Sequence, residues 1–124
     1  MKIYDKVVTL YKCNYDNNTA ERIKLSPVYF DKTIKTMPSV NGLQYSNQLN
    51  VIIPAFAISP TFEIKQNDKI VIAETEFEID GTAGHTIKDL MKQYPEQCFN
   101  IISKEIFYFD KAKNQINHIE IVGV

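Results

Sequence analysis

The sequence lacks several residues that mark specialised classes of protein. Its 124 residues include no tryptophan, four glycines and two cysteines, Cys13 and Cys98. Two cysteines are too few for a disulfide scaffold, and four glycines leave little material for a loop that cradles phosphate groups. No apolar run approaches the roughly 18 residues of a membrane-spanning helix, and the first residues lack the features of a secretory signal. We therefore expect that the chain contacts no membrane and that it folds in the cytoplasm.

Neither sign of charge is in excess. The chain has 14 Lys and Arg against 15 Asp and Glu, a net charge of −1, which disfavours a protein held to nucleic acid by a large positive field. The aromatic run Phe107–Phe109 is bracketed by Lys104 and Lys111 rather than interleaved with basic residues, unlike a base-stacking platform. The length and the 44% apolar content predict a single globular domain over residues 1–124.

Alternation of apolar and polar residues, the period of a strand, dominates the chain. Pro27 falls inside the second of these segments and indicates an edge or a bulge there. The predicted strands are Ile3–Lys12, Arg22–Phe30, Leu49–Ile53, Lys69–Ala73, Glu76–Ile79, Asn100–Asp110 and Ile116–Val122.

One segment, Thr86–Tyr94, has the period of a helix instead. Thr86 suits the N-cap and Asp89 the third helical position, as in a capping box, while Pro95 follows the end. With turn-spaced short strands on either side, the sequence predicts a mainly β fold. We expect a small twisted β-barrel or sandwich of six to eight short strands with one short helix.

The polar segment Asp31–Asn47 contains Pro38 and the Asn41-Gly42 pair and is interpreted as a long loop, at about residues 31–48. A loop of this length without its own secondary structure is uncommon inside a compact domain and is often functional.

Four carboxylates occur at strict i, i+2 spacing, which places them on one face of an extended strand, roughly 6–7 Å apart. They are Glu74, Glu76, Glu78 and Asp80. Such a face is either merely solvated or an acidic stripe that meets a basic partner or lines a channel through which DNA slides. Glycosidases also use paired carboxylates, but a chain without tryptophan is poorly equipped to line a sugar cleft.

The candidate metal ligands are Cys13, Cys98, His85 and His118. None has the paired spacing of a zinc site, and Cys98 lies in an apolar neighbourhood where a thiol ionises poorly. The chain has no nucleophile-elbow or zinc-protease motif. We therefore expect no metal, no cofactor and no enzymatic activity.

Short motifs spread over nearly the whole chain form a further pattern. They are Tyr4–Tyr11 (YDKVVTLY), Gly42-Leu43, Leu49–Pro54 (LNVIIP), Ile64–Ile72 (IKQNDKIVI), Ile87–Leu90, Ile101–Ser103 and His118–Gly123 (HIEIVG). Together they resemble the small head-completion proteins of tailed bacteriophages, the head-closure or stopper class that lies beneath the portal and adaptor.

The resemblance implies a structural virion protein with a β-barrel core. It would form a hexameric or dodecameric ring in the neck, the head–tail connector, around the DNA channel. The portal or adaptor would lie above it and the tail terminator below, with packaged DNA passing transiently through. On this hypothesis the acidic residues face the lumen or a partner. The gating or docking loop comprises Thr36, Met37, Pro38, Ser39, Val40, Asn41, Gly42, Leu43, Gln44 and Tyr45.

Two alternatives stay open. A tail terminator or tail-completion protein also forms rings and belongs to a neighbouring structural class. A monomeric β-barrel that binds a ligand or nucleic acid belongs to a different class.

Overall fold

The structure, a computed structural model, describes residues 4–39, 42–57, 63–113 and 115–124. Its fold is mainly β with one short helix, so the predicted fold class is confirmed. The elements are β1 (Lys6–Asn14), β2 (Thr19–Ser39), β3 (Gly42–Pro54), a 3-10 turn (Ala55–Ala57), β4 (Lys69–Val71), α1 (Ile87–Gln93), β5 (Cys98–Asp110) and β6 (Gln115–Gly123).

All neighbouring strands pair antiparallel and close into a barrel in the order β1-β2-β3-β6-β5-β4. The three-residue strand β4 closes the barrel by pairing with β1 on one side and β5 on the other. Near Pro27, whose peptide bond with Ser26 is cis, the β1–β2 pairing shifts register between Lys6 and Val8. The irregularity predicted from Pro27 is thus observed.

Two apolar clusters stabilise the barrel. The larger fills its interior with alternate residues of the strands, such as Val8, Leu10, Val51, Ile53 and Ile121, all buried. The smaller one joins the opposite side chains of β1 and β4 to α1. Burial of these side chains, at roughly 25 cal/mol per Å² of apolar surface, is the main favourable contribution to folding.

Helix α1 covers the smaller cluster, where Ile87 and Leu90 are buried against Tyr11 and Val71. Its start is a capping box, as predicted: the Asp89 carboxylate accepts hydrogen bonds from the Thr86 backbone N–H at 2.9 Å and from its hydroxyl at 2.7 Å. The predicted helix is confirmed within one residue at each end.

The predicted strand Glu76–Ile79 is wrong. This segment joins no strand ladder. It contacts β2 through an isolated bridge between Thr19 and Asp80 and through the Ala20 N–H, which donates to the Ile79 carbonyl at 3.1 Å.

The predicted loop Asp31–Asn47 is also wrong. The segment forms the distal half of a β-hairpin, in which β2 and β3 pair from Tyr29–Ile52 to Ser39–Gly42. The alternation that identifies a strand requires one buried face, and this part of the hairpin lies beyond the barrel, so its polar sequence has the composition of a loop.

Candidate functional site

The β2–β3 hairpin extends beyond the barrel as a two-stranded ribbon. β1 pairs with β2 no further than Val28, and β6 pairs with β3 only from Leu49 onward. In the described part of the chain, the residues of β2 after position 30 and residues 43–48 of β3 pair with each other and with no other strand. At about 3.4 Å per residue, the ribbon reaches roughly 24 Å past Leu49.

The sequence-predicted gating or docking residues lie at the far end of this ribbon. The backbone register pairs Thr36–Ser39 with Gly42–Tyr45, so the structure brings both groups together at the tip. Val40 and Asn41 lie outside the described residues.

The base of the ribbon is polar. The Asn50 side-chain amide donates to the Asp31 carboxylate at 3.3 Å, and the Gln48 amide donates to the Asn50 side-chain oxygen at 3.2 Å. Between base and tip, Ile34 is an exposed apolar side chain, 69% accessible. Over residues 31–34 and 47–50, where the side chains are described, the ribbon is polar apart from the exposed Ile34 and the buried Leu49 at its base.

The four predicted acidic residues are exposed, while Thr75 and Ile79 between them are buried. The predicted alternation of faces thus holds even without a strand ladder. Arg22 Nη2 lies 2.6 Å from Glu78 Oε1, and Lys24 Nζ lies 3.1 Å from Glu74 Oε1. Two cations against four carboxylates leave this acidic face with a formal charge of −2.

Asp80 ends the acidic face in a turn. Its carboxylate accepts hydrogen bonds from the hydroxyl of Thr82 at 2.6 Å and from the Thr82 backbone N–H at 3.0 Å. These hydrogen bonds lower the pKa of Asp80 below its usual value. It therefore stays ionised at neutral and mildly acidic pH.

Buried hydroxyl groups of β1 hold the acidic segment in place. The Tyr11 hydroxyl lies 2.6 Å from Thr75 Oγ1 and donates to the Phe77 carbonyl at 2.8 Å. Thr9 Oγ1 donates to the Ala73 carbonyl at 2.7 Å and accepts from the Thr75 N–H at 3.1 Å. Burial raises the pKa of Tyr11. Sequence reasoning missed this network, although two polar residues at alternate positions of a buried strand are a signal for it.

A second surface feature lies at the opposite end of β3. Tyr4, Pro54, Phe56, Phe109 and Ile116 line a shallow groove of about 410 Å³, the aromatic groove, with Ala55, Gln115 and Asn117 completing its wall. The rings of Tyr4 and Phe56 meet edge to face, with centroids 6.4 Å apart. Phe56 and Phe109 are 74% and 79% exposed. No local sequence pattern identifies this groove, because its residues come from distant parts of the chain.

The structure brings Cys13 and Cys98 into the same apolar cluster, but it does not group them with His85 and His118 into a metal site within the described residues. Cys98 is buried and Cys13 half-buried, and burial raises the pKa of both thiols, that of Cys98 to about 11. His85 stacks on Phe77 and His118 on Phe107, with centroids 5.3 and 4.6 Å apart. Over residues 4–39, 42–57, 63–113 and 115–124, no three His, Cys, Asp or Glu side chains are placed to hold a metal ion.

Among the helices described, none has the length and apolar character needed to cross a membrane.

Residues 3–124 match the model of a family described as "Family of unknown function (DUF6751)", and the chain therefore belongs to that family. No curated protein and no solved structure matches the chain.

Proposed function

We propose that this member of the DUF6751 family is a structural virion protein, a head-closure or stopper subunit of a tailed-bacteriophage neck. It would form a homo-oligomeric ring around the DNA channel and join the portal or adaptor to the tail. The observation that carries the proposal is the ribbon projecting from a closed barrel. A closed barrel leaves its strands no edge to offer a neighbour, whereas the two strands of the ribbon each have an outer edge outside the barrel ladders.

A ribbon that is already paired is suited to docking. Ordering a flexible loop on assembly costs conformational entropy, roughly 1–2 kcal/mol per backbone residue. The register from Tyr29–Ile52 to Ser39–Gly42 fixes this backbone within the isolated chain. Less of the contact energy is then spent on ordering, and Thr36–Tyr45 would dock on a neighbouring subunit or reach into the channel.

The acidic face has a role consistent with a channel. After the ion pairs with Arg22 and Lys24, its remaining charge is carried by Glu76 and Asp80, both exposed. Carboxylates that face a DNA backbone repel its phosphates. A lumen lined in this way would let DNA pass without adhering. In the alternative arrangement, the acidic face would contact a basic surface on a neighbouring subunit.

Electron microscopy of phage particles tests the proposal. In a phage whose genome encodes this chain, we expect deletion of its gene to give heads that lose DNA and lack tails, and gold labelling to place the protein at the neck. Filled heads without tails would indicate a tail terminator instead. Normal, infectious particles, or labelling elsewhere, would refute the proposal.

A shortened ribbon gives a sharper variant. Lys35 and Ser46 are cross-strand partners, so residues 36–45 can be replaced by Asn-Gly, a sequence that favours a two-residue hairpin turn. We expect this variant to fold but to fail in restoring the deleted phage. Lys88→Gln, which changes an exposed residue of α1 outside the ribbon and the acidic face, serves as the control and should restore it.

A further inference from the structure

Two exposed apolar features lie far apart along the β2–β3 hairpin. Ile34 pairs with Asn47 in the ribbon, whereas the aromatic groove begins at Pro54. Seven residues of extended strand separate these positions by roughly 24 Å, so the two features cannot meet within one molecule. We propose that the ribbon of one copy, with Ile34 as its apolar anchor, docks in the aromatic groove of a second copy. This inference rests on the proposed ring and names the contact that builds it.

The groove has the composition of an interface core. The two rings of Phe56 and Phe109, at 74% and 79% exposure, together present on the order of 300 Å² of apolar surface. That is more than a third of the roughly 800 Å² that each partner buries in a stable interface. Gln115 and Asn117 add polar groups beside the rings. An aromatic centre with a polar rim is the usual anatomy of a protein–protein contact.

The shapes of the two features also correspond. The groove is shallow and about 410 Å³ in volume, which is room for a branched aliphatic side chain and part of the strand that bears it. Among residues 31–34, whose side chains are described, Ile34 is apolar and exposed, and its neighbours Lys32 and Thr33 are exposed and polar. Such neighbours stay at the rim when the anchor enters.

The geometry of the contact determines the kind of assembly. Ribbon and groove are different surfaces, so the contact is heterologous and leaves each copy with one free ribbon and one free groove. Repetition of a heterologous contact gives a closed ring when its rotation closes. A ribbon that paired with a second ribbon would instead be isologous and would stop at a dimer.

Disulfide trapping tests the contact directly. Ile34→Cys and Phe109→Cys variants are mixed at high protein concentration under mild oxidation, and cross-linked dimers are identified by mass and peptide mapping. The matched control is a mixture of Thr33→Cys with Phe109→Cys, because successive strand residues face opposite sides. We expect the yield of dimers linked between positions 34 and 109 to be at least tenfold higher than the control's yield of dimers linked between positions 33 and 109. Equal yields, or a predominance of dimers linked through position 34 of both copies, would overturn the inference.

Mixing of blocked variants provides the second test. Ile34→Asp retains its groove and Phe109→Asp retains its ribbon, and both substituted side chains are exposed, so both variants should unfold near the wild-type temperature. By sedimentation velocity we expect neither alone to associate and the mixture to form dimers but no rings. Wild-type-like assembly of either variant would refute the contact while leaving the ring itself possible. Trapping of the contact in a protein whose deletion leaves phage particles normal would refute the phage function alone.

Discussion

The buried hydroxyl pair of Tyr11 and Thr75 lends itself to a quantitative test. Tyr11 is fully buried, and its hydroxyl contacts both Thr75 Oγ1 and the Phe77 carbonyl. Tyr11→Phe keeps the ring and removes the hydroxyl, while Thr75→Val keeps the shape of the threonine and removes its hydroxyl. Both substitutions therefore probe the hydrogen bonds that hold the acidic segment to β1.

The expected loss follows from the groups left behind. Tyr11→Phe leaves the Thr75 hydroxyl and the Phe77 carbonyl without this buried partner, at about 1–3 kcal/mol for an unsatisfied group. A loss of about 2 kcal/mol lowers the melting temperature of a domain of this size by about 8 °C. With a urea m-value of about 2 kcal/mol/M, the unfolding midpoint falls by about 1 M.

Urea unfolding of wild type, both single variants and the double variant gives a double-mutant cycle. Because the two hydroxyls bond each other, we expect the double variant to lose less than the sum of the singles, with a coupling of about 1 kcal/mol. Tyr108→Phe, which alters a more exposed tyrosine (38% accessible), is the control and should change stability by less than about 0.5 kcal/mol. Additive losses, or a Tyr11→Phe variant as stable as the control, would refute the assigned bonds.

Four further substitutions test other parts of the structure. Burial raises the pKa of Cys98 from 9.0 to about 11. A pKa that is raised in the folded state contributes stability that is present below pH 9 and is lost as the pH rises to 11. Wild type should therefore lose about 2 kcal/mol more of its free energy of unfolding than Cys98→Ala between these two pH values, as measured by urea unfolding. Equal losses would contradict a buried thiol. Arg22→Ala removes an ion pair and a hydrogen bond to the Thr75 carbonyl and should lower the free energy of unfolding by about 1–2 kcal/mol. Lys24→Ala, which removes an exposed ion pair, should lower it by less than about 0.5 kcal/mol. Similar losses for the two variants in thermal unfolding would argue against a role of Arg22 in holding the acidic segment. A Cβ at Gly123 would lie 3.1 Å from Phe99 Cβ and 3.3 Å from the Asn100 carbonyl oxygen. Gly123→Ala should therefore destabilise the fold by about 1–3 kcal/mol, as measured by calorimetry. An unchanged melting temperature would show that the neighbouring strands can move to accommodate the methyl group.

The predictions from sequence succeeded where one face of an element is buried. Strands β1, β5 and β6 each place alternate residues in an apolar cluster, and helix α1 places Ile87 and Leu90 there with Tyr94 packed against them. This burial imposes the pattern that identifies these elements. In the ribbon, the side chains that the structure describes at residues 31–34 and 47 are exposed and impose no such pattern. The pairing of the ribbon depends on the backbone register set inside the barrel, which no local pattern reveals.

The acidic segment and the aromatic groove show two further limits of the sequence. Alternation predicted correctly that the carboxylates of Glu74–Asp80 are exposed, but it did not indicate that hydroxyls of Thr9 and Tyr11 replace a ladder there. The aromatic groove joins Tyr4, Phe56 and Phe109, which lie some fifty residues apart from one another. Such a site becomes visible only once the strand order is known.

The length of the ribbon has a mechanical consequence. If this arm of roughly 24 Å moves with the barrel as one body, a tilt of the barrel by about 10° would displace Ser39 and Gly42 by roughly 4 Å. A displacement of that size is enough to make or break a hydrogen bond or a van der Waals contact. Small changes in the orientation of the barrel would thus alter the contacts made by the far end of the ribbon.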